Sequence, residues 1–291
     1  MKRYLPWWAK IAGKIVLSRL PVSGRTWQKL GLFSPGSMLD SNYAISVHNQ
    51  HFADLHAVYE GIYYLEFGPG DSLATCIIAW AHGASGGYLV DNGAYASEDI
   101  QCYYSLIKRL ISIGSRRDIS CLMDCKNVEE ILSATNCKYM QSGLESLKSI
   151  EDECIDLIFS QAVLEHVRLA EFFDVTKELY RIQKISGIGS HCIDFKDHLG
   201  GSLNSLRFST DLWEKDWFAF RSGFYTNRMR LSQVLFQFES AGFVVEVAKA
   251  EMWEQLPLRK DQISGEFVNL EDTDLLTMEA NIIVKKPTYN L

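Results

Sequence analysis

The 291-residue sequence has no apolar run approaching the ~18 residues that cross a bilayer. A secretory signal is missing as well, because Lys10 and Lys14 interrupt the apolar stretch between Trp7 and Leu17. The chain is therefore expected to stay whole and cytoplasmic. There is no internal repeat and no low-complexity tract, which excludes collagen-like and disordered classes. The seven cysteines lack framework spacing: Cys121 and Cys125 stand four apart with no second close pair to complete a zinc site. Reduced thiols are the expectation. Positive charge is not in excess either. With 29 Lys and Arg against 36 Asp and Glu the formal charge is −7, which argues against nucleic acid as a partner.

Another absence is local. No acidic residue precedes Asp40, whereas residues 1–38 hold seven of the 29 basic ones, leaving 22 against 36 acidic in the rest. Residues 1–55 are expected to form a basic helical segment ahead of a domain over 56–291. At ~100° per residue, Trp8, Ile11, Ala12, Ile15 and Val16 share one helix face. Arg3, Lys10 and Lys14 gather on the other side, with Pro6 in the first turn. Such a helix can lie peripherally on an anionic membrane or pack on the domain as a lid. His48, His51 and His56 follow, without the H-E-x-x-H pattern of a zinc helix, and are expected to supply surface or lid polarity, or one of them to close over an acceptor.

Hydrophobic residues make up 47% of the chain, ample for a self-sufficient core. Tyr63–Phe67 reads as a strand, Gly68-Pro69-Gly70-Asp71-Ser72 as a glycine turn, and Leu73–Trp80 as a helix that Asp71 or Ser72 can cap. Glycines let a ligand approach the backbone, and a helix N-terminus offers unpaired N–H groups. Tyr88-Leu89-Val90-Asp91 then gives a second strand ending in a carboxylate, 21 residues beyond Gly70, where an acid can accept both hydroxyls of a ribose. A dinucleotide fingerprint needs a third glycine, and Leu73 stands in its place.

Glu66, two residues before Gly68, makes the pattern resemble the E/D-x-G-x-G motif of class I S-adenosylmethionine (SAM)-dependent methyltransferases, with Ser72 where that family has a third glycine. Cys137–Met140 reads as a third strand, followed by Gln141-Ser142-Gly143-Leu144, with Ser142 where the family commonly has an adenine-holding acid. Asp156-Leu157-Ile158-Phe159-Ser160 … Val163-Leu164-Glu165-His166 is similar to the family's fourth strand and the turn after it. Ile185–Gly189 is expected as a glycine turn before a fifth strand, Ser190–Asp194. The last two strands, Phe243–Val247 and Ala280–Val284, are expected as an antiparallel hairpin. The resemblance covers roughly residues 56–200 and 228–286. It implies an α/β Rossmann-like fold with a seven-stranded, mostly parallel sheet of order 3-2-1-4-5-7-6 and SAM as cofactor. Glu66, Phe67, Gly68, Pro69, Gly70, Asp91, Asn92, Ser142, Gly143, Leu144 and Ser160 would hold it.

Between the fifth strand and the next helix lies an insertion, residues 195–230, dense in His, Asp, Asn, Arg and aromatics, and expected to bind the methyl acceptor. Its S-H-x-I-D-x-x-D-H and S-G-F-Y-T-N-R segments resemble a bacterial subgroup associated with cell-surface glycan pathways. The acceptor implied is a hydroxyl of a small molecule or glycan precursor. Hydroxyl methylation needs a base within hydrogen-bond reach. His198 and Asp194 are the first choices, followed by His166, His191 and Asp197, while Gln161 could orient acceptor or cofactor. Glu165-His166 resembles the Glu-His pair of ubiquinone-pathway O-methyltransferases, whose third metal-binding acid is replaced here by Ala162. A divalent metal is thus an incomplete match. Two other readings stay open, a nicotinamide-dependent oxidoreductase on the same βαβ unit and a catalytically inert adaptor.

Overall fold

The computed structural model describes residues 6–19, 37–53, 60–219 and 222–287. Two helices lead in: α1 (Trp7–Leu17), preceded by Pro6 in an extended conformation, and α2 (Ser41–Phe52). Asp40 caps α2, its Oδ1 accepting from Asn42 N and Tyr43 N at 2.9 and 3.0 Å. The sheet is built from β1 (Tyr63–Phe67), β2 (Gly86–Val90), β3 (Cys137–Met140), β4 (Ile155–Gln161), β5 (Gln183–Asp194), β6 (Val244–Met252) and β7 (Thr277–Lys285). Its order is β3-β2-β1-β4-β5-β7-β6. The first five strands are parallel, and β7 lies antiparallel between β5 and β6. Both the order and the terminal hairpin match the expectation.

Alternation along each strand divides the core into two layers. Tyr64, Leu89, Leu157 and Phe159 face α2, α3 (Ala74–Ala81) and α4 (Ile100–Ile113). Leu65, Phe67, Ile158 and Ile193 face the opposite layer, α7 (Phe172–Ile182) and α9 (Leu231–Ser240). Between these come α5 (Val128–Ala134), α6 (Leu144–Lys148) and α8 (Thr210–Trp213), with α10 (Asp272–Leu276) just before β7.

Two local expectations change. The glycines of Ile185–Gly189 do not form a turn; they lie inside the twelve-residue β5. A Cβ on Gly189 would sit 2.3 Å from Val284 Cγ2 on β7, so the glycine serves close strand packing. Asp71 does not cap α3. Its Oδ1 instead accepts from Met38 N at 2.9 Å, tying the N-terminal segment to the glycine turn, and Ser72 Oγ accepts from Ala74 N at 3.2 Å.

Helix α1 also divides its faces differently from the simple apolar stripe. Ile11 is buried, and Trp7 and Ile15 pack with it against Leu199, Trp213, Phe218 and Phe224 of the insertion. Trp8 and Val16 point away and are exposed.

Candidate active site

The carboxyl ends of β1, β2 and β4 converge on the glycine turn. Gly68 has φ +82°, and a Cβ there would stand 2.3 Å from Val163 Cγ2, so only glycine fits. Gly68 N donates to Val90 O at 2.8 Å, and Gly70 N to Asp91 Oδ2 at 3.1 Å. The other carboxylate oxygen of Asp91 accepts from Asn92 N at 2.8 Å. Gly143, with φ +50°, donates its N–H to Asp91 O at 2.8 Å, which brings the turn after β3 onto the same carboxylate-bearing corner. Ser142 is exposed there, its N–H held by Ser146 Oγ at 3.0 Å. Phe67 is buried in the sheet and Leu144 packs half-buried beneath the corner, leaving Pro69 in the turn itself.

Glu66 faces the α2–α3 layer. It is buried, and its Oε2 has no hydrogen-bond partner among the described residues. Burial pushes its pKa up to about 8, the neighbouring Asp91 charge adding to the effect. A buried carboxyl left with an open oxygen beside a glycine turn suits a ligand that brings a donor or a positive charge.

The histidines of α2 are not surface polarity. His48 and His51 are fully buried, and His56 lies outside the described residues. Burial drives His48 down to about 3, with His82 adding, and His51 down to about 4, so both are neutral at pH 7. His51 Nε2 lies 3.0 Å from Gln161 Oε1, which as an amide carbonyl can only accept. Nε2 therefore carries the proton, and His51 Nδ1 accepts from Ser190 Oγ at 2.8 Å. The Gln161 carbonyl is thus fixed inward, at the end of β4, and its NH2 is turned away from His51. Ser160 and His191 point to the opposite layer, Oγ to Nδ1 at 2.8 Å under Phe238. The Ser160 hydroxyl is consequently used within the core, leaving only its backbone to meet a ligand. His191, driven to about 3 by burial, shares that core position.

On the acceptor side, His166 and His198 meet edge to face with ring centroids 4.8 Å apart. His166 Nδ1 lies 3.1 Å from Tyr225 O, and burial, with His198 beside it, lowers it to about 4. His198 sits exposed at the rim, its pKa lowered by partial burial and by Lys14. Asp194 is engaged by Lys196, through the backbone N–H at 2.8 Å and the ammonium at 2.9 Å. Asp197 is buried and accepts from Leu199 N at 2.9 Å and from Asn204 N, closing its own loop. Glu165 is buried with neither oxygen bonded among the described residues, and burial raises its pKa well above its ordinary value. Among the described residues no group of three or more His, Cys, Asp or Glu is placed to hold a metal ion.

Residues 117–189 match the family model described as a methyltransferase domain. That match spans β3, β4 and the first part of β5, and the sheet order with its antiparallel β7 completes the class I arrangement. The chain has the class I methyltransferase fold. Structures similar to it include phosphoethanolamine N-methyltransferase 2 of Haemonchus contortus, solved with S-adenosyl-L-methionine. Identity there is 14%, over 88% of this chain and 54% of that one, with a TM-score of 0.48. The arsenic(III) methyltransferase of Chlamydomonas reinhardtii gives 14%, 80%, 65% and 0.46 in the same order. A SAM-dependent methyltransferase of Archaeoglobus fulgidus gives 13%, 83%, 93% and 0.43. The chain spans about half the length of the Haemonchus enzyme. No curated protein sequence matches it.

The polar residues that make the 195–230 insertion conspicuous in sequence mostly bond inward. Asn227 Nδ2 donates to Leu164 O and Val167 O at 2.8 and 3.0 Å, holding the turn that carries His166. Arg228 donates to Phe208 O at 2.7 Å and Thr210 Oγ1 at 3.0 Å. The fully buried Arg230 reaches Phe195 O at 2.7 Å and Asp274 O at 2.8 Å. Sequence reading did not foresee that His51 is buried and bonded to Gln161. The signal available was its i, i+3 spacing from His48 on a capped helix, which puts both on one face but cannot say that this face is covered.

Proposed function

We propose that this chain is a SAM-dependent methyltransferase that moves a methyl group to a hydroxyl of a small molecule or glycan precursor. The observation that carries the reading is the open Oε2 of buried Glu66 beside the Gly68–Gly70 turn and Asp91. These residues fit the cofactor: Glu66 would take its ammonium group, Asp91 its ribose hydroxyls, and the Asn92, Gly143 and Leu144 corner its adenine. When bound, its sulfonium supplies an electrophilic methyl. Asp91 would exchange its contact with Gly70 N for the ribose, and Glu66 would ionise opposite the ammonium. An oxidoreductase reading is less well served, since doubly wound dinucleotide folds use the order 3-2-1-4-5-6 without an inserted antiparallel strand.

A cavity of about 230 Å³ opens among Gln50, Cys192, Lys249, Glu251, Glu279 and Asn281. Cys192 pairs with Gln161 on β4, so the cavity borders the residue that His51 holds. Its wall carries two carboxylates and Asn281, whose Oδ1 has no partner among the described residues, against one ammonium, a lining suited to a ligand rich in O–H or N–H donors. For the base, Asp194 is already occupied by Lys196, whereas His198 is neutral at pH 7 and can take a proton. A positioned general base contributes about 10²–10⁴-fold, so His198→Ala is expected to lower turnover by about that factor. Unchanged turnover in that variant would remove His198 as base.

Calorimetric titration with S-adenosylhomocysteine tests the cofactor reading directly. Micromolar binding is expected, weakened at least ~100-fold in Asp91→Ala by loss of a bidentate, charge-assisted contact, with NAD not competing. Absence of binding, or displacement by NAD, would overturn it.

A further inference from the structure

The two faces of α1 have different fates. Its inner face is spent on the insertion. Trp7 meets Phe208 edge-on at 5.9 Å, Ile11 is buried, and Lys14 Nζ donates to Gly223 O at 3.0 Å and His198 O at 3.4 Å. On the outer face Trp8 is 61% and Val16 62% exposed, with exposed Ala12 between them. At ~100° per residue these three span about 80°, and Arg19, just beyond the helix end, is exposed as well. The insertion adds a second exposed indole: Trp217 is 54% exposed, and its carbonyl accepts from Arg19 Nη2.

Exposed Trp beside Arg is the composition of a lipid headgroup boundary, where the indole has an apolar body and one donor. The surrounding segment has one charge sign, seven basic residues and no acid over residues 1–38. That block attracts an anionic surface and opposes pairing with a second copy, which would bring the same charges together. No described helix is long and apolar enough to cross a membrane, so the contact is peripheral.

We propose that the outer face of α1, together with Trp217, docks the protein on an anionic bilayer surface. Because the inner face of α1 holds the His198 loop, docking sets the acceptor side of the site beside the lipid, and the acceptor is a group carried at that surface. This last clause rests on the methyltransferase reading; the docking does not.

The test is co-sedimentation of the full chain with vesicles of phosphatidylcholine alone or with about one third phosphatidylglycerol. Binding is expected to the anionic vesicles only, falling with added salt, with a blue shift of tryptophan emission. Trp8→Ser/Val16→Ser should weaken binding at least ~10-fold, and Trp217→Ser less, with melting temperature and S-adenosylhomocysteine binding unchanged. Three results would overturn the proposal: no binding of the unmodified chain to anionic vesicles, binding that the double substitution leaves intact, or a dimer in light scattering that the same substitution dissolves. Cofactor binding measured on the same sample separates failure of docking from failure of the methyltransferase reading.

Discussion

The ligand-free chain is expected to be most stable between about pH 5 and 8 and to lose stability toward both acid and alkaline pH. Two sets of buried groups pull in opposite directions. His48, His51, His166 and His191 are lowered to about 3, 4, 4 and 3 by burial. Their unfolded forms take up protons near 6.5 while the folded ones stay neutral, so their contribution is intact above that pH and is lost as pH falls below it. Glu66 is raised to about 8, and Glu165 well above its ordinary value. Unfolding releases their protons once pH exceeds about 4.5, so their contribution is present at low pH and is lost as pH rises toward 8. The acid limb set by the histidines and the alkaline limb set by the carboxyls leave the maximum between them.

Urea midpoints collected between about pH 5 and 8 would show the dome. Glu66→Gln should flatten the alkaline limb and raise stability at pH 8, while weakening S-adenosylhomocysteine. A profile that climbs steadily from pH 5 to 8 would mean that Glu66 and Glu165 are ionised in the folded chain. Binding of the cofactor's ammonium should itself expel a proton from Glu66. The heat of titration at pH 7 should therefore change with the ionisation enthalpy of the buffer, and a buffer-independent heat would show Glu66 already charged.

The second large effect is expected at Gly68. Gly68→Ala should cost about 2–4 kcal/mol of stability, the sum of ~1 kcal/mol for a left-handed backbone and ~1–3 for overpacking against Val163. The φ of +82° and the 2.3 Å approach to Val163 Cγ2 are separate penalties. They can be separated by Gly68→Ala/Val163→Ala, which should relieve the clash but not the backbone term. If the single substitution leaves the urea midpoint where it was, the turn does not have this geometry in solution. Cofactor affinity should fall in both variants, because the Gly68–Gly70 backbone and Asp91 form one hydrogen-bonded corner.

What could be read from residues alone was whatever is local in the chain. A glycine turn after an apolar run, an acid at the end of the next strand and the Ile155–His166 pattern are each complete within a few residues. Through the family resemblance they carry, they implied the strand order, and Glu66, Gly68, Gly70 and Asp91 do meet at one corner. Hydrophobic periodicity found α1 for the same reason. Which side of a helix is covered depends on elements far away in sequence. His48 and His51 look like polar decoration until α2 is laid on β1 and β4, where burial makes them neutral and turns His51 into the clamp on Gln161. Asp194, Asp197, Asn227 and Arg228 look like ligand-binding chemistry, and the fold engages them in internal hydrogen bonds because a 195–230 insertion full of backbone polar groups must satisfy them. Conversely, the apolar stripe of α1 promised one buried face. The tertiary structure buried Ile11 and left Trp8 and Val16 in the open, since the insertion that α1 packs against covers only one side of it.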